Sequence, residues 1–170
     1  MQSVAPHAHD LHRVFELHFD DVWRFLVRLG APPADAEDLA QNVFVVAHRR
    51  LASFETSRPM RPWLFGIARN VLRDHRRLAV HRHESATGDV DEVRSDPRLR
   101  AFEASQLLYA ALSELPEPLR AIVVAHDLEE LEMREAAEAL DVPLDTAYAR
   151  LRRGRALLKA AVERLAGGAR

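Results

Sequence analysis

Cysteine is absent from the 170 residues, which excludes disulfide scaffolds, thiolate zinc sites, iron–sulfur clusters and cysteine nucleophiles. The absence fits a reducing compartment. Glycine is scarce, at six residues, and no glycine-rich phosphate loop, HExxH pair or nucleophile elbow occurs. The chain is therefore expected not to be an enzyme. No apolar run approaches the roughly 18 residues of a membrane helix, and the longest candidates are interrupted by arginine. The opening MQSVAPHAHD has neither the basic start nor the apolar block of a secretory signal. The expected location is the cytoplasm, with no membrane association. Alternating strand patterns, internal repeats and low-complexity tracts are missing too.

What is present is helical periodicity and segregated charge. Leu11, Val14, Phe15, Val22, Phe25, Leu26 and Leu29 recur at three- and four-residue steps, the signature of an amphipathic helix, and Gly30 stops it. Asp35 is the expected N-cap of a second helix. Its apolar face is Ala36, Leu39, Val43, Phe44, Ala47 and Leu51; Asp38, Gln41, Val45 and Arg49 lie opposite. Residues 52–61 lack a period and read as a loop. A third helix follows, with Pro62 in its first turn and Trp63, Leu64, Ile67, Ala68, Val71, Leu72 and His75 on its apolar side. Residues 85–100 are acidic, contain Gly88 and Pro97, and read as a flexible linker. Phe102, Leu107, Leu108, Ala111, Leu112 and Leu115 then outline a fourth helix, and a fifth is expected at 118–127. A short helix at 133–140, the turn Asp141-Val142-Pro143 and a long helix at 144–165 form a helix-turn-helix. The expected fold class is all-α, with two small helical domains at 1–82 and 103–166, a linker at 83–102 and a frayed tail at 167–170.

Net charge is only −2, yet residues 58–82 hold seven arginines against Asp74, and residues 150–164 hold six basic residues against Glu163. Residues 127–138 carry six acids against Arg134. Two basic stripes and an acidic block are thus separated along the chain. On the third helix Arg69, Arg73, Arg76 and Arg77 stand beside Asn70, with Phe54 and Trp63 near its start. Arginines with aromatic platforms suit single-stranded nucleic acid, although a solvated face with a core Trp63 would look the same. In a helix-turn-helix the second helix enters the major groove by its N-terminal residues. Here Asp145, Thr146, Tyr148 and Ala149 would reach base edges, and Arg150, Arg152, Arg153 and Arg155 would grip phosphates or guanines. Ala147, Leu151 and Leu158 would face the core. The groups His7, His9, His12 and His81, His83 lack a carboxylate partner, so neither a metal nor a cofactor is expected.

DAEDLAQNVF at 35–44, RPWLFGIARNVLRDHRR at 61–77, LSELPEPLRAIVV at 112–124 and EAAEALDVPLDTAYARLRRGRALL at 135–158 together resemble, in order and spacing, the extracytoplasmic-function group of bacterial sigma-70 factors. The resemblance implies a non-catalytic subunit that binds core RNA polymerase, directs it to promoters and helps melt them. It implies that Asp38, Gln41, Asn42 and Val45 dock on the clamp helices of the β′ subunit, and that the second domain meets the β flap. It implies that the loop residues Ser53, Phe54, Glu55, Thr56, Arg58 and Arg61 capture a flipped base of the −10 element. Trp63, Asn70, Arg73, Arg76 and Arg77 would stand beside that base, and the last helix would read the −35 duplex. An anti-sigma factor is an expected partner. Several positions depart from the family pattern: Asp145-Thr146-Ala147-Tyr148-Ala149 replaces Gly-Thr-Val followed by a basic and a small polar residue, Asp141 replaces a turn glycine, and Met133 stands where a Ser or Thr cap is usual. From the residues alone, a stand-alone helix-turn-helix regulator is the rival; it needs neither the polar face of the second helix nor the basic third one.

Overall fold

The computed structural model describes residues 8–83 and 106–167, and every regular element in them is helical. The first half consists of α1 (Ala8–Arg28), α2 (Pro33–Arg50), a 3-10 turn (Leu51–Ser53) and α3 (Met60–His83). The second half consists of α4 (Gln106–Ser113), α5 (Glu117–Val123), a π-helical turn (Val124–Leu128), α6 (Met133–Ala139) and α7 (Leu144–Gly167). The expected linker lies outside the described residues apart from His83, as do Phe102 and His7.

The helix boundaries follow from local chemistry. Gly30, at φ 92°, ends α1: its N–H donates to the Val27 carbonyl and that of Ala31 to Leu26, both at 2.9 Å. This is the Schellman arrangement that glycine permits. α2 starts earlier than expected, at Pro33, with Pro32 as N-cap. Proline in the first turn sacrifices only an N–H that has no helical acceptor. Asp35 is therefore a first-turn residue rather than the cap, and it lies 3.3 Å from His75. α3 likewise starts at Met60, inside the expected loop. The expected fifth helix is α-helical only to Val123 before it widens into the π turn.

The same C-terminal device closes α6. Asp141 occupies the left-handed region at φ 52°, its N–H donates to Glu138, and that of Val142 donates to Ala137 at 3.0 Å. Aspartate substitutes here for glycine because its short polar side chain tolerates that backbone. Glu130, at φ 57° after the π turn, is also left-handed. The N-cap of α6 is Glu132, whose N–H is met by the Glu135 carboxylate at 3.3 Å. Met133 is not a cap but a buried core residue.

In α2 the expected apolar face is buried except for Leu51, which is half-buried. In α1, Trp23 and Val27 join the expected face, so its second half is enclosed on several sides. Phe65, absent from the expected face of α3, is fully buried and stacks on Phe25 with centroids 4.2 Å apart. Leu107, expected in the core, is exposed. The buried side chains of both halves form one continuous cluster. The two helical domains are packed against each other through α3 with α6 and α1 with the π turn.

Candidate nucleic-acid interface

The loop and the start of α3 build a cleft of about 420 Å³. Arg50, Ser53, Phe54, Glu55, Arg58, Pro59, Pro62, Trp63, Gly66, Ile67 and Asn70 line it from the first domain. Phe54 leans on Trp63 with ring centroids 4.7 Å apart, so the two rings form a single aromatic wall. Ser53 Oγ donates to the Arg50 carbonyl at 2.8 Å, which fixes the turn leading into the wall. Thr56 is exposed at the loop tip. Arg50 and Gly66 were not among the expected site residues; Arg50 precedes the aperiodic segment, and Gly66 interrupts a strong helical pattern.

The arginines of α3 divide into two groups. Arg73 and Arg77 are exposed; Arg73 bonds Asn70 Oδ1 at 2.9 Å and Arg77 lies 3.5 Å from Asp74. Arg76, expected beside them, turns inward and donates to the Leu29 carbonyl at 2.7 Å. Burial pushes its pKa down, so this guanidinium serves the end of α1 rather than an outer face. Arg120 of α5 bonds the same carbonyl at 3.0 Å, and burial, then the neighbouring Arg76 charge, lowers its pKa as well. Arg69 also turns inward, to Glu117 at 3.0 Å and the Leu140 carbonyl at 3.1 Å.

In the wall of the cleft Arg58 pairs with Glu138; Arg61, which is not part of the lining, pairs with Glu129, so both acids come from the second domain. Glu129 was not anticipated as a site residue, yet its side chain is wholly buried. Its Oε1 accepts from Arg28 Nη1 at 2.6 Å, and its Oε2 accepts from Arg61 Nη2 at 2.7 Å and Arg24 Nη2 at 3.2 Å. Arg61 additionally reaches the Glu129 carbonyl at 2.6 Å, and Arg28 the Leu128 carbonyl at 3.0 Å. Asp21 supports the cluster, 2.6 Å from Arg24 and 3.1 Å from Arg61. Burial opposes the charge on Arg24, but the bonds to Glu129 and Asp21 outweigh it and hold its pKa above the ordinary value. Removing one partner from such a buried set costs on the order of 3–5 kcal/mol. The signal in sequence was faint: Arg24 and Arg28 stand four apart in an apolar stretch, and the acid block lies a hundred residues away.

On the opposite side of α2, Asp38, Gln41, Asn42 and Val45 are exposed and form one continuous outward face. Val45, at 48% exposure, is a large apolar side chain left in solvent at its centre. On α7, Asp145, Tyr148, Ala149, Arg152 and Arg153 are exposed, whereas Thr146 and Arg150 are half-buried and Ala147 and Leu151 are buried. Leu158 is half-buried against the core. Arg155 differs from its neighbours: Asp127 accepts two bonds from it at 2.5 and 2.9 Å. The first effect of that pairing is a raised pKa, and the side chain is committed to the π turn. Among the described residues, no three His, Asp or Glu side chains gather as a metal site, and no helix is long and apolar enough to cross a membrane.

Comparison with known proteins places both halves. Residues 14–82 match the Sigma-70 region 2 family model and residues 105–158 the Sigma-70 region 4 model. The chain is 36% identical over 164 residues to the ECF RNA polymerase sigma factor SigE of Mycolicibacterium smegmatis, covering 93% of this chain and 62% of that relative's length. It is 29% identical over 157 residues to ECF RNA polymerase sigma factor SigM of Bacillus subtilis, covering 89% of this chain and 94% of the relative. Among solved structures, the sigma factor RpoE of Bartonella quintana, in complex with the anti-sigma factor NepR, superposes with a TM-score of 0.75 at 22% identity. It covers 91% of this chain and 97% of its own. CnrH, in complex with the cytosolic domain of CnrY, gives 0.69 at 25% identity, over 92% and 90% of the two chains.

Proposed function

Since the chain belongs to the extracytoplasmic-function group of the sigma-70 family, a non-catalytic subunit of RNA polymerase, we propose that it binds core polymerase through α2, reads the −10 element in the cleft and reads the −35 element with α7. The observation that carries this reading is the pairing of two surfaces on adjoining elements. The outward face of α2, with Asp38, Gln41, Asn42 and Val45 exposed, is polar with one apolar centre, as a protein partner requires. The cleft around Phe54 and Trp63 offers an aromatic wall with cations at its rim, as an unstacked base requires.

Promoter duplex melts when its −10 bases are held outside the stack. The phenyl and indole of Phe54 and Trp63 provide the stacking surface, and Ser53, Glu55, Thr56 and Asn70 provide donors and acceptors for a base edge. Arg58 and Arg61 supply charge to neighbouring phosphates once the domains part, and Arg73 and Arg77 extend the track along α3. Arg76 holds Leu29 and lies outside that track. On α7 the exposed Asp145, Tyr148 and Ala149 with Arg152 and Arg153 form the groove-facing side. Arg155, held by Asp127, ties the middle of α7 to the π turn. An acid at the helix N-terminus suits the helix dipole but repels phosphate, so the −35 preference differs from that of relatives with glycine there. The β flap is the partner of the second domain, and an anti-sigma factor is a further partner, as NepR is for RpoE of Bartonella quintana. The chain works in the cytoplasm and catalyses no reaction of its own.

Run-off transcription with purified core polymerase on a promoter pool tests the reading. New start sites are expected with the wild type. Asp38→Ala with Gln41→Ala should abolish them through lost core binding while the helical signal persists. Full core affinity in the double variant would refute the docking face.

A further inference from the structure

We propose that Arg50, at the end of α2, is a phosphate anchor of the cleft: its guanidinium takes the backbone phosphate beside the base that stacks on Phe54 and Trp63. This rests on the reading of the cleft given above. Among the described residues, Arg50 and Arg58 are the two cations of the lining, and their states differ. Arg58 is paired with Glu138. Arg50 is exposed, and among the described residues its guanidinium has neither a hydrogen bond nor an ion pair. Glu135, Glu138 and Asp141 line the cleft from the second domain, and none of them neutralises it. The neighbouring arginines are committed: Arg61 to Glu129, Arg69 to Glu117, Arg73 to Asn70 and Arg76 to the Leu29 carbonyl.

Local backbone geometry couples this charge to the aromatic wall. Ser53 Oγ donates to the Arg50 carbonyl at 2.8 Å, and the Phe54 N–H donates to the Leu51 carbonyl at 3.1 Å. One short turn therefore fixes both the stem of Arg50 and the ring that carries the base. The helix dipole does not account for the residue, because His48 and Arg49 already serve the last turn of α2 and neither lines the cleft. The ligand is a phosphate rather than a base edge. An arginine that reads a base needs its planar fork locked by other groups, and nothing locks Arg50. An unheld charge discriminates poorly between base edges but neutralises a phosphate in many rotamers. Glu55 is the one acid that the first domain adds to the lining, so it repels the backbone of the strand and leaves that role to Arg50.

The test uses holoenzyme assembled from core polymerase and the full chain, titrated with a labelled DNA strand of mixed sequence and about 12 nucleotides across a salt series, with core polymerase alone as the baseline. One phosphate contact on a single strand contributes about 0.7 to the slope of log affinity against log salt. Arg50→Ala should flatten the slope by that amount, which is about eightfold weaker binding at about 50 mM salt and convergence with the wild type near about 1 M. Arg50→Lys keeps the charge without the fork and should retain the slope. Arg49→Ala removes the adjacent exposed charge outside the cleft and should leave the slope unchanged. A wild-type slope in Arg50→Ala would overturn the anchor. Equal losses in Arg50→Lys and Arg50→Ala would replace it with a directional base contact, and equal flattening by Arg49→Ala would replace it with long-range attraction. Phe54→Ala separates the anchor from the reading beneath it. Weaker binding by Phe54→Ala with Arg50→Ala unaffected sinks the anchor alone, whereas wild-type binding by Phe54→Ala sinks the cleft as the −10 site and the anchor with it.

Discussion

His18 is half-buried on α1, and its Nδ1 atom is enclosed without a hydrogen-bond partner. Burial is the main cause that lowers its pKa below the ordinary 6.5; Asp21 opposes the shift and the Arg61 charge adds to it. A base with a depressed folded pKa binds fewer protons in the native state than in the unfolded one. Its contribution is therefore intact above about pH 6.5 and is lost as pH falls through that value toward the lower folded pKa. Urea unfolding at about pH 7.5 and about pH 5.5 should show a larger loss for the wild type than for His18→Gln; equal losses would refute the assignment. A second prediction concerns Glu130, exposed at φ 57°. Left-handed backbone costs a side-chain-bearing residue roughly 1–2 kcal/mol, and the extra freedom of unfolded glycine returns part of that. Glu130→Gly should gain roughly 0.5–1 kcal/mol and raise the melting temperature, whereas Glu130→Val should lower it. At this scale the sequence was informative where one residue acts on its own backbone, as at Gly30 and Asp141. It was silent where a role depends on a distant partner: nothing local to Arg69 or Arg76 distinguishes them from the exposed Arg73 and Arg77.

Among the elements, α7 carries the sharpest steric constraint. A Cβ added at Gly154 would lie 2.7 Å from Val123 Cγ2 and 3.1 Å from the Leu119 carbonyl, and Val123 is completely buried. Alanine improves helix propensity by about 1 kcal/mol, but crowding a packed interior typically costs about 1–3 kcal/mol. Gly154→Ala should therefore lower the melting temperature, checked by thermal denaturation followed by circular dichroism; a higher one would show that α5 yields. Helices and the helix-turn-helix were legible because their apolar spacing repeats every three to four residues. The misses have definite causes. Phe65 lies one place off the main stripe of α3 and is claimed by Phe25 from α1. α2 begins at Pro33, before the expected Asp35 cap, because first-turn prolines open it without a side-chain cap, and α3 begins at Met60, two residues before the expected Pro62. Glu132 caps α6 although it is neither Ser nor Thr. The wall of the cleft was readable from Phe54 and Trp63, but its lid was not.

For the whole molecule, a compact chain of 170 residues has an expected radius of gyration of about 15 Å. Small-angle scattering in low salt should approach that value for the wild type and exceed it clearly for Glu129→Gln; identical curves would contradict an ionic hold between the halves. The pairing of the two domains was beyond sequence reading because Arg24, Arg28 and Arg61 meet Glu129 across separations of 68 to 105 residues. Charge segregation showed that opposite blocks existed without showing that they meet. The exposed face of α2 has a kinetic consequence. Because Asp38, Gln41 and Val45 face solvent while the domains are joined, polymerase can capture the majority form directly, and separation follows as a first-order step within the encounter complex. The observed rate should then rise with polymerase concentration and level off at the rate of separation, as in induced fit. A chain that had to open before capture would be limited by its scarce open form at every polymerase concentration.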